Sequence, residues 1–317
     1  MNIKRINEAR MGTGLGAASA VAWGIDTVVI GIIIASTPFT QAIVLAPIIA
    51  AFMHDFFSAL WISLYMIIKG EFINVLKLFK TKSGAILILG ALSGGPLAMT
   101  FYFLGIQYAG VTYAASISAI FPGIGAVLAF TFLKEKMNGR TWLGIVLSII
   151  GVIILAYMPS KFNGDGHFFI GILFSLGAAI FWGLEGVIGA WGMKGKDVVP
   201  LYAINIRQMT SALCYGLFIV SFFHGYPLVF EAMSSKTVWL IVIAGLLGAA
   251  NYSLYYMSIN LIGAARSQSL NNTYVFWAIV TEIILIGTPV SLQFILGAII
   301  VLLGSILVSG NLNKSMK

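Results

Sequence analysis

Ten apolar runs, each close to the length that crosses a bilayer core, take up nearly the whole chain: residues 11–35, 41–68, 84–107, 111–132, 141–158, 168–191, 200–222, 237–259, 264–287 and 290–309. A helix needs about 20 apolar residues to traverse the hydrocarbon layer, and a segment in lipid must satisfy its backbone hydrogen bonds internally. The connections between runs are short, so the expected fold is an all-α polytopic membrane protein of ten transmembrane helices with almost no soluble domain. Charge agrees: only 9% of the 317 residues are charged and 60% are hydrophobic, whereas a soluble domain carries about 25% charged residues. The opening MNIKRINEAR resembles the basic start of a signal peptide, but the run behind it is too long and lacks a small-residue cleavage site, so it reads as an uncleaved first helix. Cys214, the single cysteine, falls in the seventh run and excludes an intramolecular disulfide.

The net charge of +8 is not a nucleic-acid footprint, because of where the charges fall. With the N-terminus inside, Lys4, Arg5, Arg10, Lys69, Lys77, Lys80, Lys82, Lys134, Lys136, Arg140, Lys194, Lys196, Lys314 and Lys317 share the cytoplasmic side, and only Lys161 and Lys236 lie opposite. Fourteen against two is a strong positive-inside bias. It predicts a multi-pass protein of the cell (cytoplasmic) membrane with both termini cytoplasmic and an even number of spans. Arg207 lies within a run and Arg266 at the cytoplasmic start of one.

An offset of 153 lays GPLAMTFYFLGIQYAG at 95–110 on GAANYSLYYMSINLIG at 248–263, and LGIVLSIIGVIIL at 143–155 on LGAIIVLLGSILV at 296–308, without gaps. The motif Trp-Gly-x-acid recurs too, at Trp23 to Asp26 and Trp182 to Glu185, with an offset of 159. The chain therefore reads as a duplicated five-helix unit, residues 1–158 and 159–317. Five is odd, so the halves enter the membrane in opposite directions, related by a pseudo-two-fold axis in its plane. Inverted repeats of this kind are a common plan for alternating-access transporters, with substrate held near the midplane where the halves meet.

Asp26, Asp55, Glu185, Glu282, Arg207 and His54 lie inside the runs, together with the amides Asn205, Gln208, Asn251, Gln268, Asn271 and Asn272. Each ionisable group at a helix centre costs about 3 kcal/mol on insertion scales, so it should face a cavity or a partner. By the offset, His54-Asp55 on the second helix is equivalent to Arg207-Gln208 on the seventh. The pair suits a charge-assisted contact between the halves, read as a structural or gating clamp, as coupling-ion chemistry, or as substrate contact. Histidine is the side chain whose ordinary pKa lies near neutral pH, so His54 suits a proton relay. Glu185 and Asp26 each follow a tryptophan by three residues, so indole and carboxylate share a helix face. An organic cation is attracted by ring faces and balanced by an acid; a helix-to-helix hydrogen bond is the plainer use of both carboxylates.

Tyr252 with Tyr255 or Tyr256, and Tyr274 with Trp277, also have the spacing of one face. Such rings serve as packing, as an interfacial belt, or as a cage, and Asn251, Asn271 and Asn272 beside them need polar partners. Gly12-x-x-x-Gly16 and Gly90-x-x-x-Gly94 permit close helix packing, a reading that needs no functional addition. Pro96 and Pro122 are expected to kink the third and fourth helices.

Over residues 11–309 the chain resembles the drug/metabolite transporter superfamily of the EamA type, on its two five-helix halves, on YAGVTYAASISAIFPGIGAVLAFTFLKEKMNGRTWLGIVLSIIGVIIL across helices four and five, and on Glu135 just past helix four. Within it, HDFFS at 54–58, GGPLAM at 94–99, SISAIFP at 116–122, IGILFSLGAAIFWGLEGV at 170–187, IRQMTS at 206–211 and SLNNTYVFW at 269–277 are similar to the choline permeases of Gram-positive bacteria. That resemblance implies an aromatic box with an acid for a quaternary ammonium, formed here by Trp23, Trp182, Glu185, Tyr252, Asn271 and Tyr274. Asp26, the run MTFYF at 99–103 and Asn251 depart from the permease pattern, which leaves a different small amine or a zwitterion open.

The expected activity is thus secondary transport of choline or a related cation, with Asp26, His54, Asp55, Arg207 and Gln208 as gating or coupling residues. Membrane potential or a proton would drive it, and the partners are the cargo and the lipid bilayer. An amino-acid or metabolite exporter of the same fold is the alternative. The sequence has no metal-ligand cluster, no nucleophile beside a base and no Gly-rich phosphate loop, so neither enzyme activity nor a cofactor is expected, and nucleic acid is not a partner.

Overall fold

The computed structural model of the chain describes residues 3–132, 138–156, 166–192, 198–262, 267, 270–289 and 291–309, and among these the regular structure is entirely helical. The helices are α1 (Ile3–Ile34), α2 (Ala46–Ile68), α3 (Phe72–Phe79), α4 (Lys82–Leu92), α5 (Ala98–Ala109), α6 (Val111–Ser118), α7 (Phe121–Phe132), α8 (Gly139–Ala156), α9 (Gly166–Gly192), α10 (Pro200–Cys214), α11 (Tyr226–Ser234), α12 (Thr237–Ile262), α13 (Tyr274–Ile286) and α14 (Leu292–Ser309). Among the described residues six stretches are long and apolar enough to cross a membrane: Asn7–Ile34, Ala46–Ile68, Lys82–Ala109, Val111–Leu128, His167–Gly189 and Thr237–Ser258. Gly139–Leu155, Tyr274–Ile286 and Leu292–Leu307 are apolar but shorter. Large apolar side chains such as Leu173, Phe222, Trp239 and Ile284 stand exposed on several helices. So much bare apolar surface has no place in water and marks a polytopic membrane protein.

Several expectations need correction. The third run is interrupted by a π-helical turn at Ser93–Leu97 that contains Pro96, because proline has no N–H and forces the hydrogen-bond ladder to shift. The fourth is broken at Ala119 and Ile120, with Pro122 at the start of α7. The seventh passes from α10 into a second π turn, Tyr215–Val220. The short helices α3 and α11 occupy stretches read as plain connections. Glu135, Arg266 and Gln268, and the lysines at 134, 136, 161, 194, 196, 314 and 317, lie outside the described residues.

The helices that pack most extensively are α1 with α12, α5 with α9, and α8 with α14; α1 also packs on α13, and α9 on α6 and α7. Glycines set the closest approaches. A Cβ on Gly24 would meet the Trp277 and Ala278 backbone, and one on Gly183 would meet Gly125 and Ile124. A Cβ on Gly151 would meet Val301 and the Gly297 carbonyl, and one on Gly304 would meet Ser148 and the Gly144 carbonyl. Where two backbones approach this closely there is no room for a methyl group.

Candidate functional site

Asp26, His54, Asp55, Arg207 and Glu185 form one connected chain across α1, α2, α10 and α9, while Glu282 is buried apart from them on α13. Both ring nitrogens of His54 face carboxylates: Nε2 is 3.1 Å from Asp26 Oδ2 and Nδ1 is 3.0 Å from Asp55 Oδ1. Both are donors when the ring carries its second proton. Ser211 donates to the other oxygen of Asp55, and Arg207 NH1 stands 3.5 Å from it. The Arg207 guanidinium donates through Nε to Glu185 Oε1 at 3.1 Å, through NH1 to Gln208 Oε1 at 2.5 Å and through NH2 to the Gly94 carbonyl at 2.6 Å. Its charge also lies over the Tyr252 ring, 4.7 Å from the centroid.

Three carboxylates face one arginine and one histidine. The cluster therefore carries one negative charge with His54 protonated and two with it neutral. Asp26, Asp55 and Arg207 are buried, and Asp26 Oδ1 has no hydrogen-bond partner, whereas the Glu185 side chain keeps 19% of its exposure. A buried carboxylate oxygen left unpaired is costly.

An aromatic cluster adjoins it. Trp23 stacks on Tyr274 with centroids 4.0 Å apart and an 11° interplanar angle, and meets Trp182 edge-on at 5.6 Å. Phe121 lies 6.1 Å and Tyr102 4.9 Å from Trp182. The Trp182 indole N–H donates to the Gly94 carbonyl at 3.2 Å, the same oxygen that takes Arg207. The Tyr274 hydroxyl donates to the Ala115 carbonyl at 2.7 Å, and Tyr102 pairs with Thr27 at 3.0 Å.

Trp23, Trp182 and Tyr274 thus meet one another, and Glu185 and Tyr252 meet on Arg207. Glu185 is paired with Arg207, a helix-to-helix contact. The Asn271 amide donates to Ser19 and Asn251 at 2.9 and 3.1 Å, so it ties α1 to α12. Trp277 turns away, to the α1 crossing at Gly24. Of the paired dipeptides, His54-Asp55 and Arg207-Gln208 do meet, through Arg207 and Asp55.

Gly94, Ser211, Phe121 and Tyr102 were not among the expected site residues. A Cβ on Gly94 would fall on the Glu185 carboxylate, so this glycine is required by the site and not merely by helix packing. The signal for the others was the offset: Phe121 is equivalent to Tyr274 and Ser211 to Ser58. Tyr102 lies in MTFYF, and it shares the departure from the permease pattern with Asp26.

The same offsets pair the contacts themselves. His54 with Asp26 corresponds to Arg207 with Glu185, and Asp55 with Ser211 corresponds to Gln208 with Ser58, the latter at 2.7 Å. Trp23 on Tyr274 corresponds to Trp182 against Phe121.

Comparison with known proteins gives three further findings. The profile of the EamA-like transporter family matches residues 10–157 and again 169–310. Protein LicB of Haemophilus influenzae is 28% identical over 281 residues, 87% of this chain and 89% of its own, and the uncharacterized transporter YyaM of Bacillus subtilis is 28% identical over 221 residues, 66% and 68%. A solved structure 13% identical in sequence superposes with a TM-score of 0.54 over 93% of this chain and 95% of its own, a likeness of fold. Neither relative's name states a cargo.

Proposed function

Since the chain belongs to the EamA-like transporter family of the drug/metabolite transporter superfamily, whose members are transporters and not enzymes, we propose that it carries a small organic cation, choline or a related quaternary amine, by alternating access. The observation that carries this reading is the meeting, at the Gly94 carbonyl, of a ring cluster with a charge cluster in which acids outnumber bases. A quaternary ammonium has no N–H to donate, so ring faces and a carboxylate are what can hold it. The Trp23 face now lies on Tyr274, and cargo takes its place as that stack parts.

On this reading the chain has ten spans in two inverted five-helix halves, residues 1–158 and 159–317, in the cytoplasmic membrane with both termini inside. The paired contacts support it. The close approaches at Gly24 and Gly183, and at Gly151 and Gly304, exchange under the offsets. So do the two acid-base pairs and the ring contacts. Trp23 and Trp182 are equivalent by the offset and lie edge to face, which supports a cargo site beside the pseudo-axis of an inverted repeat. Inflow of a cation gains about 2.3 kcal/mol per 100 mV of inside-negative potential, so the potential suffices as a drive; His54 between two acids is the residue through which a proton would couple.

The test is thermal unfolding of the detergent-purified protein with choline, other methylated amines, and neutral and acidic amino acids. A ligand that binds only the folded state raises the midpoint. A choline-dependent rise that disappears in Trp182→Ala and Glu185→Gln is expected. A rise with amino acids alone removes the cation reading in favour of a metabolite exporter.

A further inference from the structure

Resting on the cation reading above, we propose that Arg207 is a tethered stand-in for the cargo. When the site is empty it holds Glu185, Tyr252 and Asp55 together, and when a cation arrives it gives up Glu185 and keeps Asp55. The two groups a cationic cargo needs, a carboxylate and a ring face, are both already held by one guanidinium, 3.1 Å from Glu185 and 4.7 Å above Tyr252. The same guanidinium also pairs with a second carboxylate, Asp55, 3.5 Å from NH1, which belongs to the first half of the chain whereas Glu185 belongs to the second. Arg207 therefore bridges two carboxylates, one in each half, and can release one while keeping the other.

The equivalent position in the other half makes the contrast. His54 holds Asp26 there, and an imidazole can give up its charge. A guanidinium cannot. Glu185 is thus never without a cation in the empty carrier, and the empty carrier can return without exposing a naked carboxylate to lipid. When cargo takes Glu185, Arg207 is pushed onto Asp55 and breaks its bond to the Gly94 carbonyl, the oxygen it shares with Trp182. That shared oxygen is the mechanical link from Arg207 to the ring cluster.

The prediction separates two fluxes. In proteoliposomes, labelled choline would be followed both as exchange against internal choline and as net uptake driven by an inside-negative potassium diffusion potential. Arg207→Gln removes the stand-in, so only the loaded carrier can reorient. The ratio of net uptake to exchange should fall at least tenfold, and choline should bind at least threefold more tightly because nothing competes for Glu185. Arg207→Lys keeps the charge without the fork that reaches Gly94 and Gln208, so its ratio should fall between the two; it also serves as the test should Arg207→Gln not fold. An unchanged ratio in the folded variants, or loss of choline binding with Arg207→Gln while the wild type binds, overturns the stand-in role. Failure of the wild type to bind choline would instead remove the cation reading itself.

Discussion

Replacing Gly94 by alanine tests the site at its tightest point. The new methyl would fall on the Glu185 carboxylate, and because that carboxylate is the end of a flexible side chain, it swings away and loses Arg207. A hydrogen bond to a charged group is worth about 1.5–3 kcal/mol. Alanine in place of glycine returns about 0.5–1 kcal/mol of backbone entropy. The difference is a loss of about 0.5–2.5 kcal/mol, tending to the upper end because the Arg207 side chain is only 5% exposed. In a Glu185→Ala background the methyl no longer meets the carboxylate and the bond is already gone, so the same change should be neutral or stabilising. Thermal midpoints of the four proteins close the cycle, with an expected coupling of about 1.5–3 kcal/mol. If the two substitutions add within about 0.5 kcal/mol, the carboxylate does not lie over Gly94 and the geometry of the site as described is refuted.

Asp55→Asn should be the most damaging single change in the charge cluster, by about 3–5 kcal/mol, since this fully buried carboxylate serves His54, Ser211 and Arg207 together; the midpoint and the monodisperse yield would show it. Trp23→Ala should cost about 3–5 kcal/mol and abolish the choline-dependent rise. Tyr274→Phe keeps the stack, loses the hydroxyl's bonds to the Ala115 carbonyl and to the Ser118 hydroxyl, and should cost about 1–2 kcal/mol with the rise retained; a choline response that survives Trp23→Ala speaks against the ring cluster. Gly24→Leu and Gly183→Leu press a side chain on the facing helix at equivalent crossings, so both should reduce folded yield in membranes to a similar extent, and a large disparity would count against the pseudo-two-fold arrangement.

Much of this was legible in the chain. Residues that sit inside apolar runs have no reason to be charged, so Asp26, His54, Asp55, Glu185 and Arg207 stood out by cost alone, and the structure joins all five. Trp23 and Trp182 were marked by the repeated Trp-Gly-acid motif, and they touch. The offsets held further information, since Phe121 and Ser211 follow from Tyr274 and Ser58.

The interruptions were less legible. Pro96 announced a disturbance, but whether a helix bends, breaks or widens into a π turn depends on which neighbour takes the released carbonyls, and at Gly94 those takers are Trp182 and Arg207 from distant parts of the chain.

The sequence by itself determined that this chain lives in a bilayer as a helical bundle, because hydrophobic length and backbone hydrogen bonding are properties of each segment taken alone. It also determined that costly polar groups must converge, because no segment can satisfy them singly. Only the tertiary structure decided who meets whom. That Glu185 pairs with Arg207, and that Asn271 ties α1 to α12, is read only there. Pairing is a matter of ångströms between helices far apart in sequence, set by glycines such as Gly94 and Gly24 that let two backbones approach. No single segment carries that distance in its residues.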